Sequence, residues 1–83
     1  MSNYEENIVK ENFGKNLLRC RKYTKQTQTE LAKRCDLTQG YVSQIEQGNV
    51  FPSTNAMVSL AKALGTTVRK LGGLEPLNYV ELS

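Results

Sequence analysis

The twenty residues from Gln28 to Gln47, QTELAKRCDLTQGYVSQIEQ, leave this chain few ways to fold. Thr27 stands where it can cap a helix. Glu30, three residues on, completes the pattern in which cap and acid satisfy each other's backbone amides. Leu31, Ala32 and Cys35 then fall on one helical stripe. The stripe stops at Asp36, Thr38 offers a second cap, and Val42 and Ile45 carry the apolar side of a second helix. Only Asp36-Leu37-Thr38 separates the two helices, so they must pack at a steep angle. Ala32 supplies the small side chain that so close a crossing needs.

A pair of this kind is a helix-turn-helix. Its second helix carries the functional signal. At about 100° per residue from Gln39, residues Gln39, Ser43, Gln47, Gly40 and Gln44 span roughly 0–140°. Val42, Ile45 and Glu46 lie on the other side, at roughly 240–340°. The polar side holds three glutamines and no charge, whereas a face that merely meets water usually carries Lys and Glu. Amides that donate and accept together suit base edges in a major groove, glutamine pairing well with adenine. The plainer alternative is a solvent face that happens to be rich in glutamine.

Residues 13 to 72 resemble the lambda-repressor/Cro-like helix-turn-helix domain, the XRE family. The pieces that carry the resemblance are Phe13-Gly14, Arg21, Thr27-Gln28, Leu31-Ala32, Leu37-Thr38, Val42 and Ile45-Glu46. Gly48, Pro52-Ser53 and the run Leu60-Ala61-Lys62-Ala63-Leu64-Gly65 extend it. The resemblance implies an all-α, five-helix DNA-binding domain. It also implies that Gln28 clamps a backbone phosphate at a helix N-terminus and that Arg21 bridges to Glu46. Asp36 departs from the family, which usually has Gly in a left-handed turn there; Asp tolerates that conformation better than most residues. Gly40 departs too, with no side chain where relatives often present one that reads a base.

Eighty-three residues allow one domain with a modest core. The formal net charge of +3 hides a pattern. Residues 1–12 carry a net −2 and residues 73–83 another −2, while ten basic residues against three acids give residues 13–72 a net +7. A basic module between acidic ends suits a phosphate-binding surface. No apolar run is long enough to span a membrane, and no apolar signal segment follows Met1. Histidine is absent, and no Cys, Ser or carboxylate has a partner base, which argues against an enzyme. Cys20 and Cys35 sit on apolar faces, and with no secretory context they read as buried, reduced thiols.

Taken in order, residues 1–11 form an acidic extension, either frayed or an added helical turn. Residues 12–72 form the domain, with a first helix from about Asn12 to Tyr23. A later helix runs from about Thr54 to Leu64 behind the cap Ser53, and a short fifth spans Thr67 to Leu71. Phe51, in the loop before Pro52, reads as an anchor on the core. Residues 73–83 form a tail that is a dimer-forming strand, a cover over the core, or a linker. The reading predicts a cytoplasmic, bacterial or phage-encoded homodimer on double-stranded DNA, needing no cofactor and touching no membrane. Gln39, Gly40, Ser43 and Gln44 face the bases. Lys25, Thr27 and Gln28, with Thr38, Tyr41, Gln47 and Asn49, hold phosphates. Val68, Leu71, Leu77, Tyr79 and Val80 are the expected interface. Arg21 and Glu46 each lie at the margin of an apolar face, so packing those faces together makes each charge need the other. Two rival readings remain open: a protein-interaction module on the same fold without DNA readout, and a thiol-dependent protein built on the two cysteines.

Overall fold

Among the described residues, each helix after the first starts on a hydroxyl and each of the five ends on a left-handed residue. In the computed structural model, which describes residues 2–77, α1 spans Ser2–Tyr23, α2 Gln28–Arg34, α3 Gln39–Glu46, α4 Thr54–Leu64 and α5 Val68–Leu71. Thr27, Thr38, Ser53 and Thr67 cap α2 to α5, each oxygen accepting the backbone N–H three residues on. At α2 the reciprocal bond is also made, Thr27 N–H donating to Glu30 Oε1 at 2.9 Å. The left-handed residues are Lys25, Asp36, Gly48, Gly65 and Gly73, at φ between 57° and 84°. Around each, two backbone bonds close the helix, as in Gln26 N–H to Arg21 O and Lys25 N–H to Lys22 O, at 3.1 and 3.0 Å. Asp36, at φ 57°, takes the strained conformation that the short turn demands, and so does Lys25, at φ 60°.

The first helix is longer than the sequence reading placed it, beginning at Ser2 rather than near Asn12. The cause is that the apolar stripe continues backward: Val9 lies one turn before Phe13 and lines a groove with it, Met57 and Val68. At the other end, Thr67 is the cap of α5 rather than its first residue.

The core is drawn from every helix: Phe13, Leu17 and Cys20, then Leu31, Ala32 and Cys35, then Val42 and Ile45, with Leu60, Ala61, Leu64 and Leu71 closing it. Helix α3 packs on α1 as well as on α2, and one glycine lets it. A Cβ on Gly14 would lie 2.3 Å from the Ile45 carbonyl oxygen and 2.9 Å from that of Glu46. Backbone meets backbone there, so nothing flexible can give way. On the opposite side of the bundle, Asn16 Nδ2 donates to the carbonyls of Lys70 and Leu71 at 3.2 and 3.0 Å, holding the end of α5 to α1.

Two of the expected interface residues are not available as a surface. Leu71 is fully buried and Leu77 is 6% exposed, both within the core. The chain turns back at Gly73, which sits against the Asn12 side chain, and lays Leu77 over the bundle. Tyr79 and Val80 lie outside the described residues.

Candidate nucleic-acid interface

A buried ion pair sets the position of α3. Arg21, in the last turn of α1, meets Glu46, the last residue of α3, with Nε to Oε2 at 2.6 Å and Nη2 to Oε1 at 3.1 Å. The two side chains are 13% and 4% exposed. The third guanidinium nitrogen donates to the Gln26 carbonyl at 2.9 Å, so the same arginine also holds the turn before α2.

From Glu46 the order passes outward. Gln28 Nε2 donates to Glu46 Oε1 at 2.8 Å, and Gln28 Oε1 accepts from Gln39 Nε2 at 2.7 Å. A carboxylate can only accept, so Gln28 must turn its NH2 inward and its carbonyl toward Gln39. Gln39 must then donate to it. What Gln39 keeps for an outside partner is its oxygen and one N–H, the acceptor–donor pair that matches the major-groove edge of adenine. The sequence reading placed Gln28 on a phosphate; the structure sets its amide between the buried carboxylate and Gln39.

A second cluster runs along the same exposed side. Gln47 Nε2 donates to Ser43 Oγ at 2.8 Å, and Asn49 Nδ2 donates to Gln44 Oε1 at 3.2 Å and to Gln47 Oε1 at 3.1 Å. With its carbonyl oxygen held, Gln44 presents both N–H groups outward, and Ser43 keeps its own hydroxyl proton. Both amide hydrogens of Asn49 go to these neighbours, so in the free protein it braces Gln44 and Gln47.

The remaining expected positions are dispersed around this face. Thr27 and Thr38 each accept a capping bond on Oγ1 and retain a hydroxyl proton to donate. Tyr41 is half-buried, its hydroxyl accepting the Ser53 N–H at 3.0 Å and so tying the loop after α3 to α3 itself. Lys25 is exposed at the left-handed turn. Gly40 is exposed in the first turn of α3, and an added Cβ would meet nothing within 4 Å. The roles of Tyr41, Asn49 and Asn16 in holding loops were not legible in the sequence, because each partner lies on a different element or past a turn.

No group of three or more His, Cys, Asp or Glu side chains is placed to hold a metal ion among the described residues. Cys20 and Cys35 are free and buried. Burial pushes both thiols up, with the Arg34 charge drawing Cys35 part of the way back, so at neutral pH they are protonated and unreactive. A shallow groove lined by Lys25, Gln26, Glu30, Lys33 and Arg34 contains no residue of α3 and is separate from the amide face.

Comparison with known proteins agrees with this geometry. Residues 12–71 match a sequence family described as a helix-turn-helix domain. An uncharacterized HTH-type transcriptional regulator of Sinorhizobium fredii is 39% identical over 54 residues, covering 65% of this chain and 28% of that protein. The immunity repressor protein of Bacillus phage phi105 is 34% identical over 64 residues, covering 77% of this chain and 44% of that one. The chain thus spans less than half the length of either relative. Among solved structures, the clp gene regulator ClgR of Corynebacterium glutamicum superposes with a TM-score of 0.73 at 30% identity, over 76% of this chain and 67% of that one. The hypothetical transcription factor NHTF from Neisseria does so with a TM-score of 0.75 at 27% identity, over 90% and 85%. These relatives are named as regulators, a repressor or a transcription factor, and none as an enzyme. With the capped α2–α3 pair, the close α1–α3 packing and a family match over most of its length, the chain belongs to the helix-turn-helix domain family.

Proposed function

We propose that this chain binds double-stranded DNA sequence-specifically and regulates transcription, α3 lying in the major groove. The observation that carries the reading is the uncharged amide face of α3, whose donors and acceptors are oriented from behind by the Arg21–Glu46 pair through Gln28. Gln39 and Gln44 read bases and Ser43 assists. Gln47, the hydroxyls of Thr27, Thr38 and Tyr41, and Lys25 face the phosphates on either side, while Gln28 orients Gln39 from behind. Such a protein works where the DNA is, in the cytoplasm of a bacterium or of a phage-infected cell. No helix among the described residues is long and apolar enough to cross a membrane.

One short recognition helix covers only a few base pairs, so two copies bind related half-sites with centres about 34 Å apart. With Leu71 and Leu77 inside the core, the apolar groove of Val9, Phe51, Met57, Val68 and Leu74 is the surface that best suits a second copy among the described residues. Phe51 and Leu74 are 48% and 70% exposed. Phe51→Ser with Leu74→Ser shifts sedimentation toward the monomer; a double variant that stays dimeric places the interface elsewhere.

The decisive experiment is selection of bound duplexes from a random pool, followed by affinities on selected and random DNA at one salt concentration. Gln39→Ala or Gln44→Ala loses about 1–3 kcal/mol on the selected duplex and little on random DNA. Equal losses on both deny these glutamines a base-reading role. Failure to recover any duplex favours the protein-interaction reading.

A further inference from the structure

Five of the six glycines have a reason inside the molecule. Gly14 makes room for α3, Gly48, Gly65 and Gly73 adopt left-handed φ, and a Cβ on Gly72 would press on the Val68 carbonyl at 3.3 Å. Gly40 has none. Its φ lies outside the left-handed region, it is exposed, and the position of its missing Cβ is open space. Glycine in a helix costs conformational entropy relative to alanine. The free protein therefore bears that cost without a return from its own fold.

The place of Gly40 supplies the missing reason. At about 100° per residue it falls on the same side as Gln47 and Gln44, and along the helix it stands in the first turn, just after Gln39 and one turn before Gln44. The face thus has a notch near its N-terminal end, with an oriented glutamine before it and another one turn after it. We infer that Gly40 is a clearance position: in the complex, the wall of the major groove comes into van der Waals contact with the α3 backbone there, and any side chain holds the two apart. The inference rests on the DNA-binding reading and adds a specific depth of insertion. Gln39 is bonded to Gln28 and Gln44 to Asn49, so either must break that bond to lengthen its reach when the helix is lifted. A small displacement at Gly40 therefore costs both base contacts together.

The test compares wild type, Gly40→Ala and Gly40→Gln in thermal melts and in binding to the duplex that wild type selects from a random pool, with random-sequence duplex as reference. Gly40→Ala should melt no lower than wild type, yet bind the selected duplex about tenfold or more weakly, the effect of overfilling a close-packed contact. Gly40→Gln should bind it more weakly still, and random duplex should change far less in both. Selected-duplex affinity equal to or tighter than wild type in Gly40→Ala overturns the clearance role while leaving DNA binding intact. A lower melting temperature in Gly40→Ala also overturns it, since the fold itself would then need the glycine. A wild-type protein that selects no duplex removes the DNA-binding reading and this inference with it.

Discussion

Two arginine–carboxylate pairs in this chain have nearly the same contact distance and very different surroundings. Arg21–Glu46 closes at 2.6 Å with side chains 13% and 4% exposed; Arg69–Glu75 closes at 2.8 Å with side chains 65% and 44% exposed. The first joins α1 to α3, makes two charge-assisted bonds, and shares its carboxylate with Gln28. The second joins α5 to the segment that follows it and makes one such bond in open water. Distance alone therefore says little about what an ion pair does. The buried pair cannot exchange its partner for water, so it sets where α3 sits, while the exposed pair can.

The largest effect that tests this contrast is Glu46→Ala. Removing one partner of a buried pair costs about 3–5 kcal/mol, because the surviving charge is left uncompensated. A chain this short has about 4–12 kcal/mol of stability in all, from 0.05–0.15 per residue. Thermal melts of Arg21→Ala, Glu46→Ala and the double variant form the check. A double variant little worse than either single supports the pair, and additive losses deny it. Next comes Gly14→Ala in the same junction. Alanine is the better helix former by about 1 kcal/mol, yet the new methyl would press on two backbone carbonyls, and overpacking costs about 1–3 kcal/mol. Denaturant unfolding should show a net loss; a gain in stability would mean that α1 and α3 do not approach as described.

On the exposed side, Glu75→Ala should cost under about 1 kcal/mol, and the difference should shrink further at high salt. A loss as large as that of Glu46→Ala would erase the contrast. The smallest effect, visible only as the pH is raised, belongs to the thiols of the core. Burial raises both above the ordinary thiol range, Arg34 partly offsetting it at Cys35. The unfolded chain then gives up these protons at lower pH than the folded one. Their contribution is thus present below the ordinary thiol value and is lost as pH rises from there toward the folded values. Unfolding midpoints of wild type and Cys20→Ala across the alkaline range should converge as pH rises; parallel curves would show that Cys20 ionises alike in both states.

Much of the architecture was legible because it is written in short-range chemistry. Thr27, Thr38 and Ser53 announce helix starts, Gly48 and Gly65 announce stops, and the stripes of α2, α3 and α4 show which side is core. Arg21 and Glu46 could be paired from the margins of their stripes together with a family resemblance. The candidate site was legible as a face, Gln39 to Gln47, rather than as a set of connected bonds. Asn49 reads as a phosphate neighbour because it stands in the loop beside the docking surface. Only the placement of Gln44 and Gln47 around it shows that its hydrogens are already committed.

Residues 73–77 and the start of α1 mark the boundary of such reading. Leu71 and Leu77 looked like a free apolar surface because a sequence pattern records hydrophobicity but not what lies across from it. The turn at Gly73 and the bonds from Asn16 to the end of α5 bring that segment against α1, some sixty residues away in the chain. By itself the sequence determined the helices, their caps and stops, and the uncharged side of α3, since each depends on groups within about four residues of one another. Tertiary structure alone decided which apolar residues disappear into the core and how each amide of the face is turned. Those outcomes depend on a carboxylate of α3, a guanidinium of α1 and a glutamine of α2 meeting out of water, where a donor can face only an acceptor.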